Sequence, residues 1–148
     1  MMGESITDPH RVESDIPETA GLSLLPVHTI LHAEKTTRQC FFTYQNLKDK
    51  CTGYEIHMGE TLSTEAKPLN FLPNGETDGY LLNNKCWGTY MHGILDNPAV
   101  INQLLAEYTA IEHTITDYAQ YKEEQYDKLA ALLREHIDME YVYQSFKR

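Results

Sequence analysis

The hydrophobic period changes once along this chain, at Asn97-Pro98, and that switch limits the folds open to it. Before it, β-branched and aromatic residues gather in short runs bounded by Gly, Pro and Asn, the pattern of strands. After it, Val100, Ile101, Leu104, Leu105, Tyr108 and Ile111 recur at helical spacing, and a second helical pattern runs from about Asp117 to Ile137. Asn97 and Pro98 read as the helix start, an N-cap side chain followed by a ring preset for the first helical position. Several short strands followed by two long helices make an α/β chain without the regular alternation of a complete doubly wound domain. That order implies the later part of a larger domain.

In chain order, residues 1–6 read as the tail of a helix that begins upstream and is broken at Thr7-Asp8-Pro9. Residues 8–20 read as a surface loop. The apolar run Leu22 to Leu31 is interrupted by Pro26 and reads as a turn leading into a strand. Thr37 to Tyr44 is a second strand, and a polar turn follows at Gln45 to Lys50. Cys51 to Leu62 holds a third strand with Gly53 and Gly59 at its ends. Leu69 to Leu72 and Gly79 to Leu82 are short strands on either side of the turn signal Pro73-Asn74-Gly75. Cys86 to His92 is the last strand. In the second helix Tyr118, Tyr121, Gln125, Leu129, Leu132, Leu133 and His136 trace one face, and Lys122, Glu123, Glu124, Asp127, Lys128 and Arg134 the solvated one. Met139 to Arg148 adds a short helical turn.

Bulk properties exclude several classes. The 148 residues suit one domain, and 41% apolar with 23% charged residues is a globular composition. Twelve basic against 22 acidic residues give a net charge of −10, which repels phosphate backbones and anionic lipid. Neither nucleic acid nor a membrane surface is an expected partner. No apolar run reaches membrane-spanning length and the N-terminus lacks a signal-peptide pattern, so the cytoplasm is the expected location. Cys40, Cys51 and Cys86 show no metal-type spacing and read as reduced, partly buried thiols.

The chemistry centres on the histidines. In a strand over 86–92, Trp87, Thr89 and Met91 fall on one face and Cys86, Tyr90 and His92 on the other. His92 then stands where strand gives way to loop, the place where α/β enzymes hold catalytic groups. His57 ends a Gly-bounded strand in a similar way. The remaining five, His10, His28, His32, His113 and His136, lie in polar stretches, near a strand end or in the last turn of a helix, and are read as exposed or structural. A metal site from His57, His92 and Glu55 is weakly supported, because zinc needs three fixed protein ligands and these come from different strands. No cysteine sits in a strand-to-helix elbow, and Cys86 lies six positions from His92 along the same strand. A general base at His92 therefore has no evident nucleophile among the three thiols.

Met1-Met2-Gly3-Glu4, Asp8-Pro9 and Val12-Glu13-Ser14 resemble the segment after the nucleophile in the cobyric acid synthase family. The similarity continues in order through Gly21 to Val27, Lys35 to Gln39, Gly53-Tyr54-Glu55-Ile56-His57-Met58-Gly59, Gly88-Thr89-Tyr90-Met91-His92-Gly93, Asp96-Asn97, Tyr126 to Ala130 and Leu133 to Asp138. The resemblance implies that residues 1–148 are the C-terminal portion of one class I glutamine amidotransferase-like domain, of flavodoxin-like ancestry. The upstream elbow half and an ATP- and Mg-using synthetase domain lie outside it. The family hydrolyses glutamine and uses the ammonia to amidate carboxylates of adenosylcobyrinic acid a,c-diamide, giving cobyric acid.

Carried over residue by residue, the resemblance makes His92 the catalytic histidine and assigns Tyr54, Glu55 and His57 to the glutamine pocket. The ring is then expected to be exposed and to face a cleft beside Met1-Met2. Two departures stand out. The family's nucleophilic cysteine lies in a Gly-x-Cys-Gly-Gly-x-Gln elbow just before the Met-Met-Gly run, so the 148 residues alone are expected to be inactive and to need no cofactor. Many class I amidotransferases also place a glutamate two residues after the histidine, where this chain has Ile94. Alternatives in the same style are a corrinoid a,c-diamide synthase, a cell-wall precursor amidotransferase, or a non-catalytic binding or assembly module. Self-association, or a partner supplying the upstream half, is expected from the sheet that the missing strands leave open.

Overall fold

The computed structural model describes residues 1–108 and 117–146. Its main sheet is built on a long antiparallel pair, β3 (Val27–Tyr44) and β4 (Cys51–Ser63). β1 (Ser5–Thr7) lies parallel to β3 and antiparallel to β2 (Glu18–Ala20), and β9 (Met91–His92) is antiparallel to β4 at the other edge. The order is β2-β1-β3-β4-β9. β5 (Asn70–Phe71) and β6 (Thr77–Asp78) pair off the far end of β3, and β7 (Tyr80–Asn83) with β8 (Cys86–Gly88) makes a separate hairpin. This mixed sheet followed by helices is the α/β content that the period switch implies.

Alternation decides which face is core. Cys40, Phe42 and Tyr44 on β3 are buried, while Phe41 between them is exposed. With Cys51, Leu69, Met91, Ile94 and Val100 they form the larger of two apolar clusters. The smaller is Leu25, Val27 and Tyr80, with Met2 and Cys86 against it.

Several sequence expectations change. Ser5–Thr7 is a strand and not the tail of a helix, because three residues cannot complete a helical turn and open partners exist on both sides. Residues 8–20 include β2, and the rest of the stretch wraps a buried carboxylate: Asp8 accepts the amides of Val12, Glu13 and Ser14 at 2.7, 2.8 and 3.1 Å. The two strands expected at 22–31 and 37–44 are one. Residues 32–35 bulge between registers Leu31↔Gly59 and Thr36↔His57, so His32 sits within β3 and not in a following loop, while His28 is near the strand's start. His57 likewise is in the middle of β4 and does not end it. The strand expected at 86–92 is two strands with different partners. It breaks at Thr89-Tyr90, where Asp78 captures the Thr89 hydroxyl and the Tyr90 amide.

α1 (Pro98–Leu105) begins at the expected proline but ends before Tyr108, short of the helical spacing read through that residue; Ile111 and His113 lie outside the described residues. α2 (Tyr118–His136) starts where Asp117 accepts the Ala119 and Gln120 amides, and α3 (Met139–Ser145) where Asp138 accepts that of Tyr141. The apolar stripe of α2 is present but unburied, with Leu129 and Leu132 each about half exposed at 51% and 53%. No helix among the described residues is long and apolar enough to cross a membrane.

Candidate active site

β9 exists because β4 leaves room for it. A Cβ built on Gly53 would lie 2.7 Å from the His92 carbonyl oxygen and 2.8 Å from the Met91 side chain, so only glycine lets the two strands close. The register is Tyr54↔His92 and Glu55↔Met91. Met91 turns into the core, and His92 turns outward, where its ring lies flat on that of Tyr54 with centroids 5.0 Å apart and planes 9° from parallel. His92 is exposed, and among the described residues its ring makes no hydrogen bond.

Beyond His92 the chain reverses. Gly93 has φ 74°, a left-handed conformation that glycine adopts without strain, and a 3₁₀ turn over Ile94–Asp96 follows. Asn97 then acts differently from the cap expected of it. Its side chain makes no capping bond to α1. Instead Oδ1 accepts the Thr52 amide at 2.8 Å, and Nδ2 donates to the Thr52 carbonyl at 2.9 Å and to the Gly93 and Ile94 carbonyls at 3.1 Å.

The other face of β4 is closed by polar contacts. Glu55 is 4% exposed and accepts from Arg38 Nε at 2.5 Å and from the Cys40 thiol at 3.4 Å. Arg38 also donates to Glu76 at 2.7 Å. These bonds, Glu55 first, hold the guanidinium more strongly protonated than usual, and Arg38 in turn lowers the Glu76 carboxyl. His57 Nδ1 donates to the Gly59 carbonyl at 2.8 Å, its Nε2 stands 3.8 Å from Glu55, and its ring stacks on Tyr90 at 4.0 Å. Tyr90 shares its hydroxyl with Thr61 at 2.7 Å.

The four residues singled out from sequence therefore divide in two. Tyr54 and His92 share the outer face; Glu55 and His57 line a cleft of about 870 Å³ on the opposite side. That cleft is the one beside Met1-Met2, and Tyr90 lines it while His92 does not. The break at Thr89-Tyr90 is the cause, since it turns Tyr90 and His92 to opposite sides. The imagined metal set of His57, His92 and Glu55 is split by the sheet, and among the described residues no three His, Cys, Asp or Glu side chains cluster as metal ligands do.

Sequence reasoning missed Asp78, which is buried and also accepts from Asn70 Nδ2 at 2.8 Å. It fixes the chain just before His92. It carries little signal in the sequence, since it ends the polar run Gly75-Glu76-Thr77; only its burial marks it as an acid that needs several donors.

The three thiols are elsewhere. Cys40 and Cys51 are buried, and burial first, then Glu55 and Asp49 respectively, pushes each thiol up and away from thiolate. Cys86 donates to the Leu24 carbonyl at 3.5 Å.

Residues 1–100 match the CobB/CobQ-like glutamine amidotransferase domain family. Among curated relatives, the cobyric acid synthase of Parabacteroides distasonis is 53% identical over 154 residues, covering 99% of this chain and 31% of that protein. That of Bacteroides fragilis is 47% identical over 148 residues, 97% of this chain and 30% of that protein. That of Phocaeicola vulgatus is 49% identical over 149 residues, with the same two shares of 97% and 30%. The chain spans about a third of the length of the relatives it matches.

Proposed function

This chain belongs to the CobB/CobQ-like glutamine amidotransferase family, and from that membership we propose that it supplies the histidine of a glutamine-hydrolysing site serving cobalamin biosynthesis. The observation that carries the reading is His92 itself: exposed at a strand end, planar against Tyr54, with both ring nitrogens free of hydrogen bonds among the described residues. A base that must take a proton and return it needs an unoccupied nitrogen.

In this reading the imidazole takes the proton of a thiol, and the thiolate attacks the amide carbon of glutamine. The tetrahedral oxyanion collapses to a thioester as the imidazolium returns the proton to departing ammonia. Water, deprotonated by the same ring, then releases glutamate and the thiol. Backbone amides hold the oxyanion in both halves. The thiol is not one of the three in this chain, since Cys40 and Cys51 are buried and Cys86 is tied to Leu24. We assign it to a segment outside these 148 residues, which alone turn over no glutamine. Tyr54 forms the wall of the glutamine pocket next to His92. Glu55 and His57 act on the opposite face by holding β4 in place.

In the larger protein the ammonia amidates carboxylates of adenosylcobyrinic acid a,c-diamide to cobyric acid, in the cytoplasm. ATP and Mg are used at a synthetase domain that also binds the corrinoid. The names of the relatives support this acceptor over the a,c-diamide synthase and cell-wall alternatives.

The test is a chimera in which residues 1–148 replace the matched region of the Parabacteroides distasonis protein. The chimera is expected to release glutamate from glutamine, and His92→Ala to abolish this. Normal ammonia production by the His92→Ala chimera overturns the proposal. So does glutamine turnover by the 148-residue chain that His92→Ala removes, since a resident thiol would then be the nucleophile.

A further inference from the structure

Among the described residues the imidazole of His92 has no carboxylate paired with it: the position two residues on is Ile94, which is 7% exposed and packed in the core. Something else must hold the ring still. Its plane is set by the Tyr54 stack, but stacking leaves a ring free to slide, so the backbone that carries it has to be fixed independently. The element that does this is Asn97. Its carboxamide is 9% exposed and uses three donor–acceptor directions at once. It pairs with both the backbone N–H and the carbonyl of Thr52, two residues before Tyr54, and with two carbonyls of the turn that follows His92. One side chain thus joins the strand under the ring to the turn behind it.

We propose that Asn97 is a positioning residue for His92, tying the Gly93-Ile94 turn to the Thr52 peptide so that the imidazole stays over Tyr54 without a side-chain acid. The inference rests on the assignment of His92 as the base. Asn97 touches neither the reacting atoms nor glutamine. Its loss therefore lowers kcat and leaves KM nearly unchanged, by the logic that misplacing a catalytic group by an ångström costs on the order of 100-fold.

Two substitutions separate this role from helix capping. Asn97→Ala removes every bond. Asn97→Ser keeps a favoured N-cap residue and a hydroxyl for the Gly93 or Ile94 carbonyl, but it is too short to reach Thr52. The readout in the 148-residue chain is NMR: the His92 ring protons, shielded by Tyr54, and hydrogen exchange at the Thr52 amide. Both variants are expected to lose the upfield shift of His92 and the protection of Thr52. Val100 methyl shifts, which report the neighbouring core, are expected to hold in Asn97→Ser. In the chimera, Asn97→Ser is expected to lose about 100-fold in kcat with KM within about twofold.

An Asn97→Ser protein that keeps the His92 shift and full kcat overturns the proposal. A protein that loses kcat while His92 remains shielded overturns it as well. An active His92→Ala chimera would remove the assignment of the base and leave the NMR result standing, so the two failures are distinct.

Discussion

The two faces of the paired strands β4 and β9 carry two histidines of opposite fate. On the inner face His57 has one nitrogen bonded to the Gly59 carbonyl and the other directed at Glu55, with Tyr90 stacked on the ring. On the outer face His92 has one aromatic contact and no hydrogen bond to its ring among the described residues. In sequence the two look alike, a histidine close to a glycine in a strand pattern, but His57 is in the middle of β4 whereas His92 closes the short β9. The difference teaches that partnering follows strand position: a histidine in the middle of a paired strand spends its nitrogens on building the sheet, and one at a strand end keeps them unbonded. A ring whose nitrogens are already used must break a bond before it can act.

The sharpest way to break this comparison is to remove each ring in turn from the chimera. His92→Ala is expected to lower kcat for glutamine hydrolysis about 10³-fold, within the range for a lost general acid–base. His57→Ala is expected to change it by less than about tenfold and to appear as lowered Tm, since a half-buried stack and hydrogen bond are lost. Comparable losses of kcat from both would show that the division into a chemical face and a structural face is false.

The next largest effect tests the inner face as a structural unit. Glu55→Ala leaves Arg38 with Glu76 alone and the Cys40 thiol without its acceptor. A fully buried pair loses about 3–5 kcal/mol when one partner goes. Arg38 is 40% exposed and keeps a second carboxylate, so about 2 kcal/mol is expected by denaturant titration, discounted for solvent screening. Glu55→Gln, which can still accept from Arg38, is expected to lose less. A loss below about 0.5 kcal/mol for Glu55→Ala would mean that this network contributes no more than a surface pair.

A smaller effect is expected on the outer face. Tyr54→Ala removes the stack, worth about 0.5–1.5 kcal/mol, and is expected to lower kcat roughly tenfold. Tyr54→Phe keeps the ring and is expected to stay within about twofold, because the Tyr54 contact that matters is the ring face. Full activity in Tyr54→Ala would remove stacking from the account of how His92 is held.

Much of this was legible in the sequence, and the losses have a physical pattern. Strands with partners local in sequence or strong alternation, such as the one carrying Cys40, Phe42 and Tyr44, declare themselves by period. So do the helix starts, which rest on local chemistry: the preset ring of Pro98 in α1 and the capping carboxylate of Asp117 in α2. The assignment of residues 1–6 failed because a three-residue strand has no period and depends on partners up to 23 positions away. The break at Thr89-Tyr90 was invisible for the same reason: it is imposed by Asp78, on another element. Asn97 could be seen as special but not how, since Asn serves both as a cap and as a two-sided amide. The single-strand reading of 86–92 placed Tyr90 and His92 on one face, and that error hid the separation of the two histidine environments.

Asp8 offers the gentlest test, because it is as fully partnered as Glu55 yet belongs to neither face of β4. Burial raises its carboxyl, but the amides of Val12, Glu13 and Ser14 and the charge of His10 more than reverse this, so it titrates below its ordinary value of 3.8. A carboxylate lowered in the folded state stabilises fully above its unfolded value and loses that contribution as pH falls through the folded one. The 8–20 loop is therefore expected to hold above pH 3.8 and to open below it, seen as loss of hydrogen-exchange protection at Val12, Glu13 and Ser14. Asp8→Ala is expected to show the same opening at neutral pH. If partnering defines structural units, the opening stays local, and the His92 ring protons keep their Tyr54 shielding in the Asp8→Ala chain. Loss of that shielding on Asp8→Ala would mean that the loop and the outer face of β4 are one cooperative unit, and that counting hydrogen-bond partners does not divide this molecule where its stability does.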